Sequence, residues 1–322
     1  MQTLPLSWSL ETNPTEKNIS SKILNENLTW LSIHGFQNHS QFTSFINQRR
    51  NEEKQNLIIR GCNNLLVSQL EQKGYSSTRV GMEAVLETNG NHFEKKSIKQ
   101  LIKRGMRHGK VIQLPYSIYN RQLLEKFRSK TTHAIEPQLQ NLFQTKFTID
   151  NMLYVFISHS NDWLGAVLVS KNGNQKLHTE LILRTKNSPI GILESIIYNI
   201  FLDAKKNNIL ELSLGEVPFI NKNETIHKSI ISFLTMKLGR FLKFAYSYDG
   251  LYNFKNKFEP RWDDLFVCSK PKIGFEHLVF LFVKSNFHKL VYYKIALMIK
   301  TKKSFSKKKN SANFITPLLD FN

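Results

Sequence analysis

The strongest constraint in this sequence is the order of apolar runs and turn signals in the second half of the chain. Residues 152–158 and 164–170 are apolar runs of strand length. They are followed by an Asn-Gly pair, which is a strong signal for the tight turn of a hairpin. Residues 178–184 then return as the partner strand, so this stretch predicts an antiparallel meander.

A helix and a further strand are predicted after the hairpin. Apolar residues at helical spacing predict a helix over residues 190–206, and residues 209–214 form a buried strand that Gly215 stops. Residues 224–244 are predicted as another helix. Strand, hairpin, helix, strand and helix, in that order, resemble the core of the N-acetyltransferases. A likeness of fold does not by itself assign a function.

The first half of the chain contains a strongly basic helix. Strands are predicted at 56–60 and 75–87, and helices at 63–73 and 93–108. The last helix has an apolar side at helical spacing, made of Ile98, Leu101, Ile102 and Met106. Its opposite stripe and flanks are basic, with no acid: Lys95, Lys96, Lys99, Lys103, Arg104, Arg107 and Lys110. This stripe is either a solvated face or a binding surface for a polyanion.

The charge balance supports a polyanionic partner. The chain has 45 Lys and Arg against 25 Asp and Glu, a net charge of +20. An excess of this size favours nucleic acid or an anionic membrane surface, without choosing between them.

The last part of the chain, residues 276–322, is predicted to be a basic amphipathic tail. Between His277 and Leu319 there are nine lysines and no acid, and aromatic and aliphatic residues interleave with the first lysines. Such a segment is either a peripheral helix with a solvated lysine face or a helix that lies on anionic lipid. No run of 18 apolar residues is present, and the start lacks a signal peptide.

These patterns divide the chain into four parts. Residues 1–28 are polar and are expected to be a flexible leader, and residues 29–150 and 151–275 are expected to be two acetyltransferase-like halves before the tail. The predicted fold class is α/β (α+β), with mixed sheets flanked by helices.

Several common chemistries have no support in the sequence. Two cysteines, Cys62 and Cys268, cannot form a disulfide scaffold or a four-cysteine zinc site, and they fit a reducing cytoplasm. The ten histidines lack the spacing of a helical zinc pair, and neither a P-loop nor a G-x-S-x-G elbow occurs. We therefore expect no metal and no cofactor.

Five segments, in order, resemble the catalytic C-terminal domain of the phosphatidylglycerol lysyltransferases. Residues 250–262, Gly-Leu-Tyr-Asn-Phe-Lys-Asn-Lys-Phe-Glu-Pro-Arg-Trp, resemble the family segment G-L-x-x-F-K-x-K-F-x-P-x-W at every fixed position. Residues 214–219 are similar to its L-G-x-x-P-hydrophobic segment, and residues 80–85 to its G-x-E-A stretch. The basic helix and the Arg184, Pro189, Gly191 turn resemble the remaining two.

The resemblance implies a function. It implies two tandem acetyltransferase-like halves with a site between them, and transfer of an aminoacyl group from aminoacyl-tRNA to a lipid hydroxyl. The partners would be aminoacyl-tRNA and an anionic phospholipid membrane, at its cytoplasmic face. Family members often carry an N-terminal multi-span membrane part, which this sequence does not show, so a flippase role is not expected.

The matched motifs name the candidate site residues. The candidate catalytic residues are Glu216, Lys255 and Arg184. The candidate substrate-binding residues are Glu83, Glu180, Lys257, Phe258 and Trp262. The candidates for tRNA or phosphate binding are Lys99, Lys103, Arg104 and Arg107. Glu216 is expected just after a strand end, and an extended segment would place Lys255 and Lys257 on one face.

Three alternatives stay open at this point. A CoA-dependent acetyltransferase is disfavoured, because the glycine-rich pyrophosphate loop before a helix is not visible. An acyltransferase of the same fold could act on a non-lipid acceptor. A non-catalytic relative that binds lipid or RNA is the third alternative.

Overall fold

A computed structural model describes residues 19–25, 28–33, 56–131, 134–139, 146–172, 175–220, 239, 242–270, 272 and 274–312. The strands are β1 (Ile19–Asn25), β2 (Leu28–Ile33), β3 (Asn56–Cys62), β4 (Ser76–Glu87), β5 (Gly109–Leu114), β6 (Asn151–Ser158), β7 (Trp163–Asn172), β8 (Lys176–Arg184), β9 (Glu211–Pro218) and β10 (Arg261–Lys270). The helices are α1 (Asn64–Glu71), α2 (Lys96–Met106), α3 (Ile118–Arg128), α4 (Ile192–Lys206), α5 (Tyr248–Asn256), α6 (Phe275–Lys284) and α7 (Phe287–Ala312), with a 3-10 turn at Leu242–Phe244.

The described strands form one mixed sheet in the order β1-β2-β3-β10-β4-β9-β8-β7-β6-β5. Only β2–β3 and β8–β9 pair in parallel, and the other neighbours are antiparallel. β10 belongs to the stretch expected to be the second half but lies between β3 and β4 of the first. The two halves therefore share a continuous sheet, and the predicted mixed α/β architecture flanked by helices is confirmed.

The main core lies between the sheet and helices α2 and α4. It is built from apolar residues that alternate along the strands and recur on the inner faces of the helices. The two helices cross where Gly105 meets Gly191, since a Cβ on Gly105 would lie 2.4 Å from the Gly191 carbonyl oxygen. Gly191 has a φ of 99°, so a side chain there would be strained. Gly105 takes the buried position in α2, and Met106, which was expected on that side, is exposed.

Other expectations change at the ends of the chain. The leader expected over residues 1–28 contains β1, which pairs with β2 through backbone hydrogen bonds that polar residues can make as well as apolar ones. The helix predicted over residues 224–244 lies largely outside the described residues. The tail contains α6 and α7, and no helix among the described residues is long and apolar enough to cross a membrane.

Candidate active site

The candidate site lies where β8 and β9 stop pairing. Their parallel ladder joins only three residue pairs, from Lys176 with Glu211 to His178 with Ser213. Beyond these pairs β8 stays bonded to β7 and β9 to β4, so the two strands separate. We call the gap that opens between them the seam. Ligands commonly bind where neighbouring strands of an open sheet part in this way.

A kink in β9 sits at the start of the seam. Leu214 and Gly215 together oppose the single residue Ala84 of β4, which is a β-bulge. Gly215 has a φ of 85°, which favours glycine over residues with a side chain. A Cβ at this position would also lie 3.5 Å from both the Lys255 Nζ and the Thr179 carbonyl oxygen. The bulge therefore brings the β9 backbone close to β8 and to a lysine from another element.

Lys255 reaches the seam from helix α5. Its Nζ donates a hydrogen bond of 3.0 Å to the Glu216 carbonyl oxygen, and the residue is only 3% exposed. Burial lowers the pKa of Lys255 to about 7, although the charges of Glu216 and Glu83 act in the opposite direction. At neutral pH this amine is therefore present in both protonation states.

Glu83 is the centre of a buried polar network beside the seam. It accepts hydrogen bonds from the Lys176 Nζ at 2.8 Å and from the Ser213 Oγ at 2.5 Å. The His178 Nδ1 lies 3.6 Å from the same carboxylate. Burial alone would raise the pKa of Glu83, but Lys176 and His178 outweigh it and hold the pKa well below its ordinary value.

Ser213 joins this network to the kink. Since the Glu83 carboxylate can only accept, the Ser213 hydroxyl donates its proton there. The same oxygen accepts from the Gly215 N–H at 3.0 Å and lies 2.9 Å from the His178 Nδ1. With its own proton already committed to Glu83, Ser213 must accept from His178, which places a proton on Nδ1.

Glu216 carries the second buried carboxylate of the site. Glu216 and Glu83 are directly opposite in the β4–β9 ladder, so both side chains project from one face of the sheet. Arg60, from β3, forms an ion pair with the Glu216 Oε2. The Glu216 Oε1 has no hydrogen-bond partner among the described residues, and it lies close to Gly81, where a Cβ would be only 3.2 Å away. Burial, followed by the charge of Glu216, raises the pKa of Tyr246 above its ordinary value.

The structure thus brings together three of the residues named from the sequence, Glu83, Glu216 and Lys255. Two expectations about local structure were wrong. Glu216 lies inside β9, because the strand continues through the bulge instead of ending at Gly215. Lys255 and Lys257 are not on one face of an extended segment, because Lys255 is helical and Lys257 caps the helix.

The other residues of that segment pack around α5. The Lys257 Nζ lies 3.0 Å from the Glu194 Oε1, at the start of α4. Phe258 is fully buried between the rings of Phe93 and Phe254. Trp262 stacks on Tyr252 with ring centroids 4.8 Å apart, and its Nε1 donates to the Asn256 side chain at 3.2 Å. These contacts anchor the helix that carries Lys255.

Glu180 and Arg184 lie further along β8. Glu180 is buried and accepts a hydrogen bond of 2.5 Å from the Ser170 hydroxyl. Arg184 is exposed at the end of the strand. It comes six residues after His178, which is about 20 Å of extended strand. Arg184 is therefore remote from the Glu83 network and lies at the far end of the seam.

Helix α2 exposes its basic stripe. The predicted phosphate-binding residues Lys99, Lys103, Arg104 and Arg107 are all exposed. Lys99 pairs with Glu94 on the same surface. Within the described ranges no ion pair is found for Lys103, Arg104 or Arg107, so the stripe keeps a net positive charge.

Five site residues were missed from the sequence: Arg60, Lys176, His178, Ser213 and Tyr246. One signal was available for two of them. Lys176 and His178 stand two apart at the start of β8, a spacing that places both on one face of the strand. Arg60 and Tyr246 come from distant segments, and only the tertiary fold brings them near Glu216. Among the described residues, no group of three or more His, Cys, Asp or Glu side chains is arranged to hold a metal ion.

A continuous mixed sheet that opens at two central parallel strands, with helices packed on it, is the architecture of the acetyltransferase-like fold class. A family profile described as "Phosphatidylglycerol lysyltransferase, C-terminal" matches residues 37–269, most of the chain. The chain belongs to this family, as its motifs predicted.

Solved structures agree on the fold. L-PGS from Bacillus licheniformis superposes with a TM-score of 0.64 at 15% identity, covering 84% of this chain and 86% of that one. The C-terminal domain of a putative lysylphosphatidylglycerol synthetase from Agrobacterium fabrum gives 0.61 at 14% identity, covering 87% and 85%. FemX gives 0.50 at 9% identity, covering 80% and 86%. No curated protein sequence matches the chain significantly.

Proposed function

We propose that this protein transfers an aminoacyl group from aminoacyl-tRNA to a hydroxyl group of a phospholipid head group. The observation that carries the proposal is the buried Lys255 amine at the start of the seam, in a chain of the phosphatidylglycerol lysyltransferase family. An aminoacyl ester is already activated, so the reaction needs positioning and proton transfer, with no oxidant or nucleotide.

The proposed step is an ester exchange. The lipid hydroxyl oxygen attacks the carbonyl carbon of the aminoacyl ester, and the neutral Lys255 amine takes the hydroxyl proton. The tetrahedral intermediate then breaks its bond to the ribose oxygen of the tRNA, which takes the proton back from Lys255. A pKa of about 7 suits both halves of this exchange, since proton-transfer catalysts work best near the ambient pH.

The remaining candidates receive roles in the same proposal. Glu83 and Glu216 position Lys255 through the β9 backbone. Each of the two carboxylates is paired with a cation, Glu83 with Lys176 and Glu216 with Arg60, so the net charge around Lys255 stays small. Glu180 contributes an acceptor for the aminoacyl group, and the exposed Arg184 meets a phosphate at the far end of the seam. Lys257, Phe258 and Trp262 hold α5 in place beside the substrate.

The donor and the acceptor require separate basic surfaces. We assign the phosphates of the tRNA to the exposed stripe of α2, including Lys99, Lys103, Arg104 and Arg107, since phosphate contacts by Lys and Arg supply most of the affinity for nucleic acid. The lipid acceptor implies a peripheral position at the cytoplasmic face of a membrane. The lysine-rich tail supports that position.

A transfer assay tests the proposal. The full-length protein is incubated with labelled aminoacyl-tRNA and phosphatidylglycerol vesicles, and the lipid fraction is examined by mass spectrometry. We expect an aminoacylated lipid from the native chain and a large loss of product from Lys255→Met. Absence of labelled lipid with every amino acid would refute the proposal, and label in a peptide or soluble fraction would favour a non-lipid acceptor.

A further inference from the structure

Helices α6 and α7 expose an unusual amount of apolar surface. Phe275, Val279 and Val283 of α6 are 67%, 42% and 44% exposed. They stand four residues apart, so they form one stripe along the helix. The opposite side of α6 packs Leu278 and Leu281 against the sheet. The exposed stripe is therefore a second apolar face, on a helix whose other side already packs against the core.

Helix α7 shows the same division. Phe287 and Leu290 are buried at its start, on the side that faces the body of the protein. Tyr292, Ile295 and Ile299 are 76%, 42% and 51% exposed. Their spacing of three and four residues places them on one outward stripe. Contiguous exposed apolar surface of this kind marks an interaction site.

The charges beside these stripes indicate the occupant. The chain has no acid between His277 and Leu319, and Lys289 and Lys300 are exposed on the same helix as the outward stripe. The one acid of α6, Glu276, is exposed in the first turn of that helix. The rest of the apolar surface is bordered by lysines without acids, which is the pattern of a helix that lies in the head-group region of an anionic bilayer. Each lysine near such a surface adds favourable electrostatic energy.

We propose that α6 and the first half of α7 form a membrane-docking surface that inserts apolar side chains between anionic lipids. This deepens the proposed function and rests on it for its purpose, because the acceptor hydroxyl is expected at that surface. Helix α7 lies close to the candidate site. The ring of Phe287 is 6.1 Å from the ring of Tyr246, and the charges of Glu216 and Arg60 both act on the pKa of Tyr246. The inner side of α7 thus packs against a residue beside the site, and the outward stripe lies on the opposite side of the same helix.

Vesicle flotation tests the docking surface without turnover. The full chain is mixed with vesicles of phosphatidylglycerol and phosphatidylcholine, or of phosphatidylcholine alone. We expect binding to the anionic vesicles that survives about 0.5 M salt in part, since inserted apolar side chains are not screened. The triple variant Tyr292→Ser, Ile295→Ser, Ile299→Ser should lower the bound fraction at least tenfold. The control Ile118→Ser, Tyr119→Ser, which removes two apolar side chains of α3 that are 66% and 68% exposed, should bind as the native chain does.

The outcomes separate this inference from the proposed function. No binding by the native chain, or equal binding by the triple variant and the native chain, overturns the docking surface. A native dimer in sedimentation velocity that the triple variant converts to monomer, with no vesicle binding, also overturns it and makes the surface an interface between two copies. Transfer to a short-chain, water-soluble phosphatidylglycerol is measured in parallel. If the native chain does not transfer to this soluble lipid, the proposed function is refuted and the docking surface is not, because the soluble lipid needs no bilayer.

Discussion

The role proposed for Lys255 predicts a definite pH profile. If its neutral amine takes the proton of the attacking hydroxyl, kcat should rise as the amine loses its proton. Burial raises the free energy of the ammonium form and lowers the pKa of Lys255 to about 7. A plot of kcat against pH should therefore rise with a midpoint near neutral pH, far below the pKa range of an exposed lysine. We call this rise the rising limb.

The size of the effect follows from the pKa. With a pKa of about 7, about one-tenth of the amine is neutral at pH 6 and about nine-tenths at pH 8, so kcat should increase about tenfold across this interval. Lys255→Arg keeps a cation of similar length but stays charged up to a pH of about 12. It should lose the limb entirely and reduce kcat by about 100-fold or more, the usual contribution of a proton-transfer group.

The assay is single-turnover transfer to phosphatidylglycerol vesicles, corrected for the spontaneous hydrolysis of the ester at each pH. Lys270→Arg is the matched control, because the Lys270 Nζ also donates to a backbone carbonyl oxygen, that of Lys73, outside the seam. It should keep both the limb and most of the rate. A limb near pH 7 that persists in Lys255→Arg, or a rate within twofold of the native chain, would refute the role of Lys255.

Three further predictions follow from the site and the basic helix. Ser213→Ala leaves buried partners without their hydrogen bonds and should lower the free energy of unfolding by about 1–3 kcal/mol in urea titrations. Lys176→Met leaves the Glu83 carboxylate buried without its ammonium and should cost about 3–5 kcal/mol at pH 7. The native ion pair holds the pKa of Glu83 low, so its stabilisation is lost as the pH falls; the difference between Lys176→Met and the native chain should therefore shrink towards acid pH. Replacing Lys103 and Arg104 by Glu should weaken tRNA binding and reduce the slope of log affinity against log salt by about 2, with vesicle binding unchanged.

Local patterns predicted the elements whose contacts are close in sequence. The hairpin of β7 and β8 and helix α4 follow from an Asn-Gly turn and from helical spacing, and both lie within two or three residues of the expected bounds. The position of β10 between β3 and β4 has no local signal, because strand order depends on pairing between distant segments. The polar strand β1 and the helical turn at Lys255 were missed because pairing and packing outweigh local propensity there.

The site was predictable where a motif marked it. Glu83, Glu216 and Lys255 lie in three separate motifs, and the structure brings them together. The cations that neutralise the two acids were not found, since Arg60 and Lys176 come from strands outside those motifs. Buried acids need partners, but the sequence does not say which cations the sheet order will bring beside them.

The pairing of the acids has a consequence for the chemistry at Lys255. The charge of Glu83 raises the pKa of Lys255 and so offsets part of the effect of burial. In Glu83→Gln that offset disappears and the Lys176 ammonium loses its counter-charge, so both changes favour the neutral amine of Lys255. The rising limb of kcat should therefore move to lower pH than in the native chain. Glu259→Gln, which removes an exposed carboxylate paired with Lys95, should leave the limb in place. A limb that stays at its native position in Glu83→Gln, in a variant shown by thermal unfolding to be folded, would mean that the titrating group is not Lys255.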